Sequence, residues 1–373
     1  MAGIYIHIPF CRQACHYCDF HFTTNLGKIQ EMTECILREI EYRKDYLNGI
    51  PVDTVYFGGG TPSLLPEKQL ETILGRIFDL FPGKKSEITL EANPDDLKDQ
   101  KISAWKSMGI DRLSLGIQSF QEEILKAYNR THTVDEALKA IRLGRKGGFE
   151  KFSIDLIYGF PFPDHSLWQK DLEEALRQDP GHISAYALTV EPKTALGNWA
   201  SKGRFVPADE DFIAEQFEWL QEQAEKAGYI HYEISNLGKP GKFSLHNSNY
   251  WKGIPYLGIG PSAHSFDGKN RGYNPSSNAK YTKALLSGSI PFELDPMEQE
   301  DRINEEILTG LRTIWGLDTA SILDRHHVDL WQIKSEAIKK LESEGWLIAQ
   351  GKVLSLTRKG KLLADSLAVE LFI

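Results

Sequence analysis

The sequence predicts an α/β fold built on parallel strands, and three observations carry that expectation. Strand-like stretches alternate with amphipathic helical stretches over the first 230 residues, the order that parallel strands with crossover helices produce. The strand candidates are short and rich in aliphatic and β-branched residues. Polar and glycine residues gather just past the strand ends, where parallel α/β barrels place their function.

The first strand, Gly3 to Ile8, sets Ile4, Ile6 and Ile8 on one face and Tyr5 and His7 on the other. A helix follows over Lys28 to Leu47, with Ile29, Met32, Ile36 and Ile40 on one side. Cys35 lies on this helix and reads as a small buried hydrophobe. Val52 to Phe57 is the second strand, followed by a helix from Pro66 to Phe81. The third strand, Glu87 to Glu91, leads into a helix opened by Pro94-Asp95-Asp96, whose carboxylates suit a first turn. Arg112–Ile117, Lys151–Ile157 and Ile183–Val190 complete six strands, and helices at 134–146, 166–178 and 209–227 fill the intervals. Six such units make either an open doubly wound sheet or a barrel, and periodicity does not choose between them.

Over 231–275 the pattern breaks into short apolar pieces rich in Gly, Asn, Ser and Pro, expected to cover the strand ends rather than add another unit. After Ile290-Pro291 come helices over Glu300–Leu311, Thr319–Asp324 and Leu330–Glu344. A hairpin follows, Trp346–Ile348 with Val353–Leu356 through Gln350-Gly351-Lys352, and then a last helix. Three helices and a hairpin suggest a winged-helix-like domain. The expected division is therefore 1–230, 231–290 and 291–373.

Directly after the first strand, Pro9 ends the ladder and Cys11, Cys15 and Cys18 follow in the spacing C-x3-C-x2-C. Three thiolates on one short loop hold three corners of an iron–sulfur cube and leave one iron open. A zinc site would need His7, His16 or His21 to complete it, since no second Cys pair exists. Four cysteines in 373 residues, three of them within eight positions, do not suit a disulfide framework.

The C-x3-C-x2-C loop after a first strand resembles the signature of the radical S-adenosylmethionine (SAM) superfamily. Tyr5-Ile-His-Ile-Pro-Phe-Cys11, Gly58-Gly-Gly-Thr-Pro-Ser63 and His246-Asn-x-x-Tyr-Trp251 together resemble the oxygen-independent coproporphyrinogen III oxidase family. Within it, the chain is most similar to the HemW-type haem chaperones, over essentially its whole length. The resemblance implies a partial (β/α)6 barrel followed by the winged-helix-like domain. It also implies a 4Fe–4S cluster on Cys11, Cys15 and Cys18 whose open iron takes the amino and carboxylate groups of SAM, and reductive cleavage of SAM to a 5′-deoxyadenosyl radical. Gly59, Gly60 and Thr61 match positions that meet the amino-acid end of SAM. Glu91, Gln118, Arg130 and Asp155 match its other polar contacts, a carboxylate suiting the ammonium or ribose and a guanidinium the carboxylate. Tyr5 is expected to point into the barrel beside the cluster.

His246, with Tyr250 and Trp251, is the expected haem contact, because an imidazole ligates iron and aromatic rings pack on a porphyrin. The same histidine would equally serve to anchor an irregular segment; His264 is the second candidate. The implied function is a haem chaperone that delivers haem to apo-haem proteins. The alternative is oxidative decarboxylation of coproporphyrinogen III. Two departures disfavour it: Phe20 stands where the oxidases carry a fourth Cys, and few residues precede Tyr5 where they carry an extension. Gly258-Ile-Gly-Pro-Ser-Ala263 mimics a dinucleotide fingerprint, but with Pro261 inside it a bent loop against the cofactor pocket is expected.

Charge narrows the partners. Against 43 Lys and Arg stand 52 Asp and Glu, a net −9 that argues against a broad phosphate-binding surface. Residues 300–373 hold ten Lys or Arg against twelve Asp or Glu, the wrong sign for a nucleic-acid-binding winged helix, so no nucleic acid is expected. No apolar run approaches the ~18 residues of a membrane span. Cytoplasm is the expected location, with peripheral membrane contact left open.

Overall fold

The computed structural model describes residues 1–373, and it bears out the alternation of strands and helices. The first units are β1 (Ala2–Ile8) with α1 (Ile29–Tyr42), β2 (Val52–Gly59) with α2 (Glu67–Leu80), and β3 (Glu87–Ala92) with α3 (Asp99–Ser107). β4 (Arg112–Gln118) is followed by α4 (Glu122–Ala127) and α5 (Val134–Lys146), and β5 (Lys151–Tyr158) by α6 (Ser166–Gln178). β6 (Gly181–Ala187) leads to α7 (Ala195–Ser201) and α8 (Glu210–Lys226). Neighbours β1 to β6 pair in parallel, each with the next.

The two faces of this sheet differ in chemistry. Outward side chains such as Ile4, Ile6, Phe57, Leu90, Leu115 and Ile154 are fully buried in one core with the helices. Inward positions are polar: Tyr5 and His7, Thr54 and Tyr56, Glu87 and Glu91, Arg112 and Ser114, Ser153 and Asp155, His182 and Ser184. Residues of β2 to β6 line a single cavity, which requires the sheet to curl round its polar face.

The expectation for 231–290 is corrected. β7 (Ile230–Glu233), β8 (Asn236–Gly238), α9 (Leu245–Trp251), β9 (Tyr256–Ile259), β10 (His264–Phe266), β11 (Arg271–Tyr273), α10 (Asn278–Leu286) and β12 (Glu293–Asp295) are not a cover. Their strands extend the same sheet at both edges, in the order β12-β11-β10-β9-β1-β2-β3-β4-β5-β6-β8-β7. β9 runs parallel to β1 and β8 antiparallel to β6. Strands of three or four residues are too short to show alternation, and their partners lie far away in sequence.

Gly258 to Ala263 likewise does not border the cavity. The buried pair Glu39–Arg43 on and just past α1 anchors it from behind: Arg43 donates to the Gly258 carbonyl (2.9 Å) and Glu39 accepts from the Gly260 N–H (2.8 Å). α1 itself ends at Tyr42, short of the expected Leu47. The loop's glycines are needed because a Cβ at Gly258 would strike the His264 carbonyl and Gly260 has φ +101°.

The C-terminal part comprises α11 (Gln299–Leu311), β13 (Leu317–Asp318), α12 (Thr319–His326), α13 (Leu330–Ile333), α14 (Ser335–Ser343), β14 (Leu347–Gln350), β15 (Val353–Leu356) and α15 (Ala364–Leu371). Helix, strand, helices and hairpin come in winged-helix order around a separate core that includes Ile303, Ile307, Ile338 and Leu354. The single helix expected over 330–344 breaks at Lys334. This part docks at the β7 edge, where Ile314 N–H donates to the Tyr232 carbonyl (3.0 Å) and Lys361 donates to that of His231 (2.8 Å). No helix is long and apolar enough to cross a membrane.

Candidate cofactor-binding site

The cysteine loop is closed at its base by Phe10 and Thr23: Cys11 N–H donates to the Thr23 carbonyl (3.0 Å), and Thr23 N–H donates to Pro9 (2.8 Å). Its outside is tied to neighbouring loops. Arg12 pairs with Asp95 (2.6 Å) and Asp96 (2.5 Å), Gln13 donates to Asn129, and His16 N–H donates to the Tyr128 carbonyl (3.2 Å). Held this way, Cys11, Cys15 and Cys18 all face a cavity of about 490 Å³, within the range of ligand pockets.

The residues present fit a cluster. Thr61 donates to Cys11 Sγ (3.5 Å) and Arg130 to Cys15 Sγ (3.3 Å), contacts that support anionic sulfur. Burial pushes the free Cys11 and Cys18 thiols up to about 11 and about 12, so ligation must displace their protons. No three ligating side chains converge as a single-ion site, whereas a cubane takes each thiolate on a separate iron and needs them around a space.

Strand ends supply the rest. Gly59, Gly60 and Thr61 follow β2 directly, and the turn runs against the cysteine loop, with Gly60 N–H on the Ile8 carbonyl (2.9 Å). A Cβ at Gly60 would sit 2.6 Å from the Phe10 carbonyl oxygen. Gly60→Ala is therefore expected to displace the turn and lower SAM affinity at least about tenfold, a loss of about 1.4 kcal/mol, measured by calorimetry on cluster-loaded protein. Native affinity would show that the approach tolerates a methyl group.

Glu91 and Asp155 enter from β3 and β5. Burial, opposed by the Tyr56 hydroxyl (2.8 Å), pushes Glu91 up to about 8. Burial also pushes Asp155 up to about 6, although serines surround it and Ser114 donates at 3.0 Å. Two buried acids with raised values form a cavity that favours a cationic guest. Arg130 crosses the cavity to the Gly116 carbonyl (2.5 Å) and Asn93 (3.0 Å), while its Nε and the Tyr17 hydroxyl remain buried without partners. Gln118, at φ +69°, lines the cavity from the end of β4, and Asp171 braces the adjoining turn through Ser119 (2.6 Å) and the Phe120 N–H (2.7 Å).

Ten expected residues thus share one cavity: Cys11, Cys15, Cys18, Gly59, Gly60, Thr61, Glu91, Gln118, Arg130 and Asp155. Tyr5 stands one layer back inside the barrel, its ring stacked on Tyr56 (6.0 Å) and its hydroxyl on His7 (3.2 Å), so it supports the wall rather than lining it. Tyr17, Tyr56 and Tyr186 line the cavity and were not singled out by sequence, while Asn93, conspicuous after the third strand, and Asn247, the second residue of the His246-Asn-x-x-Tyr-Trp251 motif, line it too. Inward alternation from Thr54 points to Tyr56, and from Ser184 to Tyr186.

His246 is corrected most. It lies on α9, not in an irregular segment, 1% exposed within the barrel floor. Its Nδ1 bonds Thr54 Oγ1 (2.8 Å), its Nε2 bonds the Tyr250 hydroxyl (2.8 Å), and burial holds it neutral, near 3. Glu87, paired with Arg112 (2.9 Å), accepts the His246 N–H (3.1 Å) and fastens the helix inside the barrel. With both nitrogens engaged, the ring is a floor anchor and not an accessible iron ligand. His246→Ala should cost about 2–4 kcal/mol in chemical denaturation, from the void and the orphaned Thr54 and Tyr250 hydroxyls. An unchanged midpoint would refute that role. His264 is exposed on β10, away from the cavity lining.

Comparison with known proteins agrees with this geometry. The Radical SAM superfamily model matches residues 5–172, and that of the HemN C-terminal domain matches residues 297–363. Heme chaperone HemW of Bacillus subtilis is 32% identical over 98% of this chain and 97% of its own length. Those of Synechocystis and Escherichia coli are 37% identical over 85% of this chain and 79% of theirs, and 32% identical over 100% and 98%. Coproporphyrinogen III oxidase HemN of E. coli, a radical SAM enzyme, superposes with TM-score 0.86 over 100% of this chain and 90% of its own, at 20% identity. That likeness establishes the barrel fold alone. On its full-length similarity to these relatives, the chain belongs to the HemW heme chaperone family of the radical SAM superfamily.

Proposed function

We propose that this protein carries a 4Fe–4S cluster on Cys11, Cys15 and Cys18, binds SAM in the adjoining cavity, and binds haem for delivery to apo-haem proteins. The family implies the cluster and SAM as cofactors, and its members are heme chaperones. The observation that carries the cofactor assignment is convergence: three cysteines after β1, a glycine turn at the end of β2, two raised carboxyls on β3 and β5 and a guanidinium from the loop between α4 and α5 line one cavity. When bound, SAM and the reduced cluster supply radical chemistry; the chain's own residues bind, orient and shield them. Thr61 and Arg130 donate to the sulfurs, Glu91 and Asp155 offer negative charge to an ammonium or ribose, and Tyr17 and Tyr56 wall the cavity from water.

Chaperoning is favoured over coproporphyrinogen decarboxylation by Phe20, 71% exposed on the cavity lining in the position of the oxidases' fourth Cys. The deciding experiment reconstitutes the protein anaerobically and offers it haem with an apo-haem acceptor, and separately coproporphyrinogen with SAM. Haem should bind and pass to the acceptor. Decarboxylated product, or no haem binding, would overturn this reading. The division of the chain at residue 291 is part of the proposal, the C-terminal domain acting as a docking element rather than a nucleic-acid reader.

A further inference from the structure

Family membership implies a haem cargo but leaves open which side chain takes the iron. The ligand must be a neutral imidazole, thiolate or phenolate with an accessible lone pair. Most of the histidines are disqualified by their surroundings. His7, His165, His182 and His246 use both ring nitrogens, and His132 and His231 are buried or wedged against backbone carbonyls. His326 is engaged by Glu306 (2.9 Å), while exposed His264 and His327 have no hydrogen bond to orient either ring.

His21 donates its Nε2–H to the Asn278 side chain (2.8 Å) and lies beside the His7 ring (centroids 6.2 Å apart), whereas His16 meets a backbone carbonyl. His16 sits between Cys15 and Tyr17, whose side chains face the cavity, but its own ring does not line the cavity. Its Nδ1 lies 2.9 Å from the Ala127 carbonyl, which can only accept, so Nδ1 carries the proton and Nε2 keeps its lone pair. A histidine that donates its other ring N–H to a backbone carbonyl is in the arrangement that metal-ligating histidines adopt. Trp199 on α7 packs edge-on against the ring (centroids 4.7 Å apart), so two contacts hold the imidazole in one orientation. The loop backbone is fixed as well, since Leu196 N–H donates to the His16 carbonyl (2.9 Å).

The surroundings suit a porphyrin edge. Lys202 and Arg204 are exposed, and their backbone N–H groups both donate to the Trp199 carbonyl (3.2 and 2.9 Å), which keeps two cationic residues in the turn that follows the indole. Val206 beside them is 75% exposed and adds apolar surface. We propose that His16 Nε2 is the haem iron's axial ligand, with Trp199 against the macrocycle and Lys202 and Arg204 toward the propionates. This rests on the haem-chaperone reading above. No redox change is involved: the imidazole lone pair fills one iron coordination position and leaves when the acceptor's ligand replaces it. His16 is half-buried and does not line the cofactor cavity, and a single protein ligand suits a cargo that must be released.

Ferric haem titration of the cluster-loaded protein, followed by absorbance, tests the assignment, with iron and sulfide counted in every variant. His16→Ala should lose the imidazole-type Soret band and bind haem at least about tenfold more weakly. Trp199→Ala should weaken binding while keeping the wild-type band position. His21→Ala and His264→Ala should behave as wild type. Because His16 adjoins a cluster ligand, His16→Gly is also titrated with free imidazole: recovery of the band in the protein-bound fraction supports ligation even if cluster content has fallen. A native band and affinity in His16→Ala, or no recovery with imidazole, overturns the assignment and leaves the chaperone reading standing. Failure of the wild-type protein to bind haem overturns that reading instead.

Discussion

Cys15→Ala should abolish cluster assembly outright: anaerobic reconstitution followed by iron and sulfide analysis should find no stable 4Fe–4S cluster. Cys11→Ala and Cys18→Ala should do the same, whereas Cys35→Ala should keep a full complement. The three loop cysteines share one cavity, and two of their sulfurs accept hydrogen bonds from Thr61 and Arg130. Losing one leaves two protein ligands on a cube that already has an open iron. Cys35 is fully buried on α1 beside the Thr282 carbonyl, remote from that cavity, and acts as packing. Full iron and sulfide retention in Cys15→Ala would refute the ligand set.

Glu91→Gln should weaken SAM binding at least about tenfold, and it should also stabilise the cofactor-free protein at pH 8. The two effects share one cause. Burial raises the Glu91 carboxyl from 4.5 to about 8, so the folded chain without cofactor holds a proton that the unfolded chain releases near 4.5. Between those values the folded state binds more protons, and its stability must fall as pH rises. The contribution is fully present below about 4.5 and is lost as pH passes through about 8. Asp155, raised from 3.8 to about 6, has the same sign over a lower window.

Glutamine keeps the shape and cannot ionise, so the difference in stability between Glu91→Gln and wild type should grow from pH 5 to pH 8, reaching roughly 1–3 kcal/mol. Denaturant titrations at several pH values measure it. A cationic group in the cavity favours the carboxylate, so bound SAM should narrow the difference. A pH-independent difference between the two proteins, or SAM affinity unchanged in the variant, would return Glu91 to a purely structural role.

Legibility followed the range of the physical signal. Helices over 134–146 and 166–178 were readable to the residue because their apolar periodicity is local, and the first also has a reciprocal cap between Thr133 and Glu136. The cavity wall was readable through the family resemblance, whose motif positions brought in Thr61, Glu91 and Asp155 at or near the strand ends. α4 and α7 were missed because one or two turns carry too little periodicity. His246 misled because a histidine beside aromatic residues reads the same way whether it binds a ligand or plugs a barrel. Only the Thr54 and Tyr250 hydroxyls, from β2 and its own helix, distinguish the two.

The sequence by itself determined the parallel α/β order, the three thiolates on one loop and, through its motifs, the family. These are properties of spacing and period, which survive without knowledge of contacts. The tertiary structure alone decided that β9 pairs with β1, that Glu39 and Arg43 pin the Gly258–Ala263 loop from behind, and that Glu87 and Arg112 hold α9 in the barrel floor. It also decided that His16 Nδ1 meets the Ala127 carbonyl while Cys15 and Tyr17 face the cavity. Each of these joins residues more than 25 positions apart or depends on which carbonyl a ring nitrogen meets. A one-dimensional pattern does not encode either, because burial and hydrogen-bond partners are set only when the sheet closes around its polar face.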